Sequence, residues 1–206
     1  MYADLLAAAK VNPETVDFKE LRLAYVQSPQ YAPYAHDKET HTLLNQALSE
    51  ENLEMAIHLV ERLLESYYLD INAHMIAAAV YGKIGDETKL SYHRKFVKGL
   101  LDSIFQSGDG RTFQTAFVVI DVEEEYAVLR VLGIQPTMQS LHTFEGHQFD
   151  VFQFRNPQTG QAAEIYFNID FPKGWLDHNP EVAIHRMPKS AETDAKQRKK
   201  RWQFWK

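Results

Sequence analysis

Apolar positions recur at spacings of three and four through the first half of the chain, and at spacings near two in the second. Tyr2 to Ala9 predicts a short apolar helix that stops before Asn12-Pro13. Asp17 then caps a helix whose buried side is Phe18, Leu21 and Tyr25. That helix ends before Ser28-Pro29, because the residue preceding a proline avoids the helical region. Gln30 to Tyr34 reads as a loop whose Tyr31, Pro33 and Tyr34 rings pack back on the helices.

Asp37 to Ile104 reads as two copies of one helical hairpin, offset by 34 residues. At that offset Leu44 falls on Ala78, Ala47 on Tyr81, Ala56 on Leu90 and Leu63 on Val97. The breaker repeats as well, as Glu51-Asn52 and then Gly85-Asp86. The period resembles the tetratricopeptide repeat, a scaffold signature. The first copy predicts helices from Lys38 to Ala47 and from Leu53 to Leu64, with a capping serine in Ser49-Glu50-Glu51-Asn52. The second predicts an alanine-rich helix from Asn72 to Ile84, a Gly85 C-cap, an Asp86 N-cap and a helix from Glu87 to Phe105.

Gln106-Ser-Gly-Asp-Gly110 breaks the helical period. Ala116 to Val122 predicts a β-branched strand, and Glu123 to Leu132 fits a short helix or a strand. Phe149 to Phe154 alternates, Asn156 to Gly160 reads as a hairpin turn, and Glu164 to Ile169 returns as a strand. A small sheet needs a cover, and fewer than about three repeats leave an open end, so each is expected to cap the other. The chain therefore predicts an α+β fold: six or seven helices, then a small antiparallel sheet packed on the hairpins. The expected organisation is a helical region 1–106, a β-rich region 107–187 integrated with it, and a tail 188–206.

Composition alters this picture little, with 45% apolar and 24% charged residues. No run approaches the roughly 20 apolar residues of a membrane-spanning helix. Met1-Tyr2-Ala3-Asp4 lacks the basic start and long apolar stretch of a secretory signal, so a cytoplasmic location is expected. Zero cysteines exclude disulfides, thiolate metal sites and cysteine nucleophiles.

Charge changes it more. Lys189 to Lys206 carries seven Lys/Arg against two acids, leaving 15 basic and 26 acidic residues in the body, a net −11. An acidic body repels phosphates, which disfavours nucleic acid as a partner. The tail reads as disordered up to Gln197. Arg198, Lys199, Lys200, Arg201, Trp202, Phe204, Trp205 and Lys206 then suit an anionic membrane surface, reversibly held. A docking peptide for another protein, a plug into its own fold and an unselected end are the alternatives.

Nine histidines raise metal chemistry, but no His-Glu-x-x-His motif is present. His142, His147 and Asp150 could converge about Glu145-Gly146, against the plainer reading of hairpin histidines; no metal and no cofactor is expected. There is no Gly-x-Ser-x-Gly elbow, and Gly108-Asp-Gly110 lacks the further glycines and lysine of a phosphate loop. Glu123-Glu124-Glu125 reads as the solvated start of a helix, where carboxylates suit the dipole. Lys38, His41, Asn45, His74 and Lys83 lie on the first helices of the two hairpins and either line a peptide groove or are ordinary surface.

Asp17-Phe-Lys-Glu-Leu-Arg-Leu-Ala-Tyr25, Ser28-Pro-Gln-Tyr31-Ala-Pro33-Tyr34, Gly108-Asp-Gly110 leading into Ala116-Phe-Val-Val-Ile, Glu124-Glu-Tyr126 and Ile165-Tyr-Phe-Asn-Ile169 together resemble a bacterial family known only as domain-of-unknown-function family 4919. The likeness spans Asp17 to Ile169 and leaves out the basic tail. It implies one unit joining the helical front to the β-rich back, and no catalytic residue, since the family has no assigned reaction. Many of its members look exported, from which the start of this chain departs. The expected function is a non-enzymatic adaptor for a protein or peptide, held near a membrane by its tail. The alternative is an enzyme or small-ligand protein built on Asp109, His142, His147 and Asp150.

Overall fold

The computed structural model describes residues 1–156 and 158–184. Met1–Pro172 form one compact unit, and the described residues from Lys173 onward fall in a second.

The first unit opens with α1 (Tyr2–Val11), a 3-10 turn (Pro13–Thr15) and α2 (Phe18–Val26), whose first turn is closed by Asp17 Oδ1 accepting from the Lys19 and Glu20 amides. Two helical hairpins follow, α3 (Lys38–Ser49) with α4 (Leu53–Ser66), and α5 (Ile71–Ile84) with α6 (Glu87–Phe105). Asp37, Asn52, Asp70 and Asp86 cap them in turn, each accepting from the amide three residues on at 2.9–3.1 Å. The cap of α4 is thus Asn52 and not Ser49, whose hydroxyl donates back to the Gln46 carbonyl at 2.7 Å. Leu44, Leu59, Val60, Leu63, Ala73, Ile76, Ala77 and Val80 fill the seam between the hairpins. Alanines on α5 let α4 and α6 lie close on either side.

α2 crosses α6 where Gly99 has no side chain. A Cβ there would stand 2.3 Å from two carbons of the Phe18 ring, which meets Phe96 edge-on with centroids 5.0 Å apart.

The sheet is mixed, with order β1-β4-β3-β2. β2 (Pro136–Phe144), β3 (His147–Arg155) and β4 (Ala162–Asn168) are antiparallel, whereas β1 (Phe117–Val118) runs parallel to β4. The expected α+β class holds, and the purely antiparallel sheet does not. β1 is only two residues long because the chain turns out of the ladder at Ile120, whose amide goes to the Glu124 carboxylate and whose carbonyl accepts from Tyr31 Oη. The ambiguous segment is helical, α7 (Val122–Val131), capped by Asp121. Glu145 and Gly146, both at positive φ (51° and 86°), make the two-residue turn between β2 and β3.

β2 was not anticipated. Met138, Leu141 and Phe144 recur at three, and this edge strand buries neither face, so it leaves no alternating signal. α8 (Asp170–His178) and α9 (Pro180–Ile184) lie where no element was expected, with Pro172 and Pro180 in their first turns, where proline is tolerated. In the second unit Asn179 Nδ2 donates to the Trp175 carbonyl at 2.7 Å. Among the described residues no helix is long and apolar enough to cross a membrane. The tail residues 188–206 lie outside the described residues.

Candidate functional site

The densest polar chemistry lies inside the first unit, where α2, the loop before α3, the start of α5 and the start of α7 meet. Arg22 falls on the α2 face beside Phe18, Leu21 and Tyr25, so the helix carries its guanidinium into the interior. There Nε and Nη2 donate to the two oxygens of Glu124 at 3.0 and 2.6 Å. Nη1 reaches Ser103 Oγ of α6 at 3.2 Å, and Nη2 also reaches the Val118 carbonyl at 3.0 Å. Arg22 is 4% exposed and Glu124 3%. A bidentate pair with two further donors directed at Ser103 and Val118 suits a buried charge, which must be both paired and hydrogen-bonded.

His36 supplies a second ion pair, its Nε2 lying 3.1 Å from Asp121 Oδ1 and 3.2 Å from the Pro33 carbonyl. Burial alone would lower the His36 pKa, but the Asp121 hydrogen bond and the surrounding carboxylates raise it to about 9. Burial raises Asp121 to about 6 against the pull of His36, so both partners are charged between those values. Beside the pairs lies a cleft of about 10 Å³ walled by His36, Tyr67, Asp70, Asn72, Asp121 and Glu123, with room for a single water-sized molecule. Arg130 of α7 donates to Asn72 Oδ1 of α5 at its edge.

These residues were missed by sequence reasoning. Glu124 and Glu125, expected at a solvated helix start, are 3% and 1% exposed. The usable signal was Arg22 on the helix face that also carries Phe18, Leu21, Tyr25 and Val26.

A second polar pair lies between α5 and α6. His74 Nε2 donates to the Tyr68 carbonyl at 2.9 Å, which leaves its Nδ1 to accept from His93 Nδ1 at 2.8 Å. Phe96 stacks on His74 with centroids 4.2 Å apart, and Tyr81 lies parallel to His93 at 5.5 Å. Burial pulls His74 down to about 3 and His93 to about 4, so both rings are neutral at ordinary pH.

The groove residues are therefore not alike. Lys38, Asn45 and Lys83 are exposed and His41 is half-buried, 3.8 Å from Asp70 Oδ2. His74 is fully buried and faces α6, so it lines no surface.

The four residues of the alternative ligand site do not share a pocket. Asp109 closes its own loop by accepting from Thr115 Oγ1 and the Arg111 amide. His142 meets Ser140 Oγ at 2.9 Å, and His147 meets Asp170 at 2.6 Å. Asp150 points to the other side of the sheet, where Gln139 donates to it at 2.7 Å and Tyr126 Oη donates to Gln139. Register explains the separation: Asp150 pairs with Leu141, and His142 with Phe149, so adjacent positions leave on opposite faces. Among the described residues no three His, Asp or Glu side chains are grouped to hold a metal ion.

A shallow trough of about 330 Å³ runs along α6, lined by Glu87, Leu90, Ser91, Arg94, Lys95 and Lys98. Lys95 pairs with Glu14 and Lys98 with Asp102 at its margins.

Residues 2–174 match the model of a family described as a domain of unknown function (DUF4919), extending the resemblance seen at Asp17 to Ile169 at both ends. No curated protein and no solved structure matches the chain.

Proposed function

We propose that this chain, which belongs to the family of domains of unknown function DUF4919, is a non-enzymatic adaptor that binds a protein or peptide segment through its helical surface. The observation that carries this reading is how the molecule uses its polar groups. Arg22, Glu124, His36 and Asp121 are consumed in pairs that hold three segments together, beside a cleft of about 10 Å³. Substrate pockets run to about 300–1,000 Å³ and enclose their ligand. A concavity of that size among the described residues is the open trough on α6, with Leu90, Glu87, Arg94, Lys95 and Lys98 along it. An open helix face with Arg94, and with Lys95 and Lys98 held at its margins by Glu14 and Asp102, suits an extended acidic segment better than an enclosed substrate.

The two capped hairpins, at a period of 34, are read as tetratricopeptide-like scaffolding that keeps this surface rigid. The basic-aromatic residues 198–206 are read as a reversible tether to an anionic membrane, on the cytoplasmic side. Affinity capture at native salt, with the full-length chain and a chain stopped at Met187, tests the binding role. A specific partner lost in the Arg94→Glu/Lys98→Glu variant is expected, and capture of nothing by either chain counts against it. Flotation on anionic vesicles tests the tether: only the full-length chain is expected to float, and salt should release it.

A further inference from the structure

We propose that β2 is a self-association edge, on which a second copy of this chain adds its own β2 antiparallel, centred on Ser140. The two edges of the sheet are treated differently. β1 ends one side after two residues, while β2 offers nine residues with nothing paired on its outer side among the described residues. Open strand edges are ordinarily blunted by charge, proline within the strand, or shortness. Here no Asp, Glu, Lys or Arg occurs from Val131 to Phe144, and the single proline stands at the first position of the strand. Val131, Leu132, Met138 and Leu141 lie within that stretch and are 43–58% exposed, four of the nine large apolar side chains exposed among the described residues.

Charge selects the occupant. The chain is acidic overall, at −6, so most of its surface repels a second copy. The β2 rim carries no formal charge that would repel its own image and none that would steer a charged partner. Antiparallel pairing of one sequence with itself is isologous, so each exposed amide and carbonyl meets its complement about a two-fold axis at Ser140. A contact built on one strand falls in the weak class of interfaces, below about 1,200 Å². Reversible dimerisation at micromolar concentrations is therefore expected.

Sedimentation velocity of the full chain across the micromolar range tests this directly. The expected result is a concentration-dependent dimer that Met138→Lys/Leu141→Lys weakens by at least about tenfold, with the far-ultraviolet circular dichroism and melting temperature of the parent retained. Because the chain has no cysteine, Ser140→Cys gives an independent readout. Residues facing each other across an antiparallel pair lie about 4.5–5.5 Å apart, within disulfide reach, so mild oxidation is expected to give a covalent dimer. Three results overturn the proposal: a monomer at every concentration, as when another protein's strand is the true occupant; a dimer that survives the lysine pair; or a Ser140→Cys chain that stays monomeric on oxidation.

Discussion

Glu51, at φ 55°, occupies the left-handed turn position that Gly85, at φ 78°, fills one 34-residue period later. The two turns close identically, Asn52 N donating to the Ala47 carbonyl at 2.8 Å and Asp86 N to the Tyr81 carbonyl at 2.9 Å. One hairpin thus carries a side chain where its copy has none, and a side chain there crowds the carbonyl that follows. Glu51→Gly is expected to stabilise the protein by about 1 kcal/mol, the relief exceeding the added freedom of glycine in the unfolded chain. A urea midpoint equal to or below that of the parent would contradict this.

Arg22 and Glu124 predict an asymmetry between single and double changes. Removing one partner leaves a charge at 3–4% exposure without its counter-ion, which costs about 3–5 kcal/mol. Arg22→Met and Glu124→Gln are each expected to lower the unfolding free energy by that order. The double variant is expected to lose less than the sum of the two. Additive losses in urea titrations would show that the pair is not coupled.

His74 and His93 predict a loss of stability in acid. Their folded pKa values, about 3 and 4, lie below the unfolded value of about 6.5. Between those limits the unfolded chain binds protons that the folded one refuses, so stability falls as pH drops from 6.5 towards 4. Asp121, raised to about 6, opposes this: its folded form binds the extra proton, so it favours the fold as pH falls through the same window. Asp121→Asn should therefore steepen the acid slope. Ring-proton NMR checks the premise directly, since neither His74 nor His93 should titrate above about pH 5.

His36 predicts the opposite loss in base. Its folded pKa of about 9 exceeds the unfolded value, so its contribution is complete below about pH 6.5 and fades as pH rises towards 9. The expected slope is about 1.4 kcal/mol per pH unit at most. His36→Gln should be less stable at pH 6.5 but lose nothing further up to pH 9. A parallel decline in parent and variant would assign the alkaline slope to other groups.

Short-range chemistry made much of the fold legible in advance. Asp17 and Asp86 as caps and Gly85 as a stop needed only neighbours within one helical turn. β2 was hidden because an edge strand exposed on both faces has no burial period to read. His74 was misplaced for a related reason: a helical period groups residues on one face without saying what covers that face, and α6 covers this one. Caps, breakers and periodicity act within a few residues, so they marked the ends of α2 to α6 and a small sheet after them, but left α7 ambiguous and α8 and α9 unread. Only the tertiary structure decided that Arg22 meets Glu124, 102 residues away, and that His36 meets Asp121. A buried charge is tolerable only with a partner, and that partner is chosen by packing, which links positions that no local spacing connects.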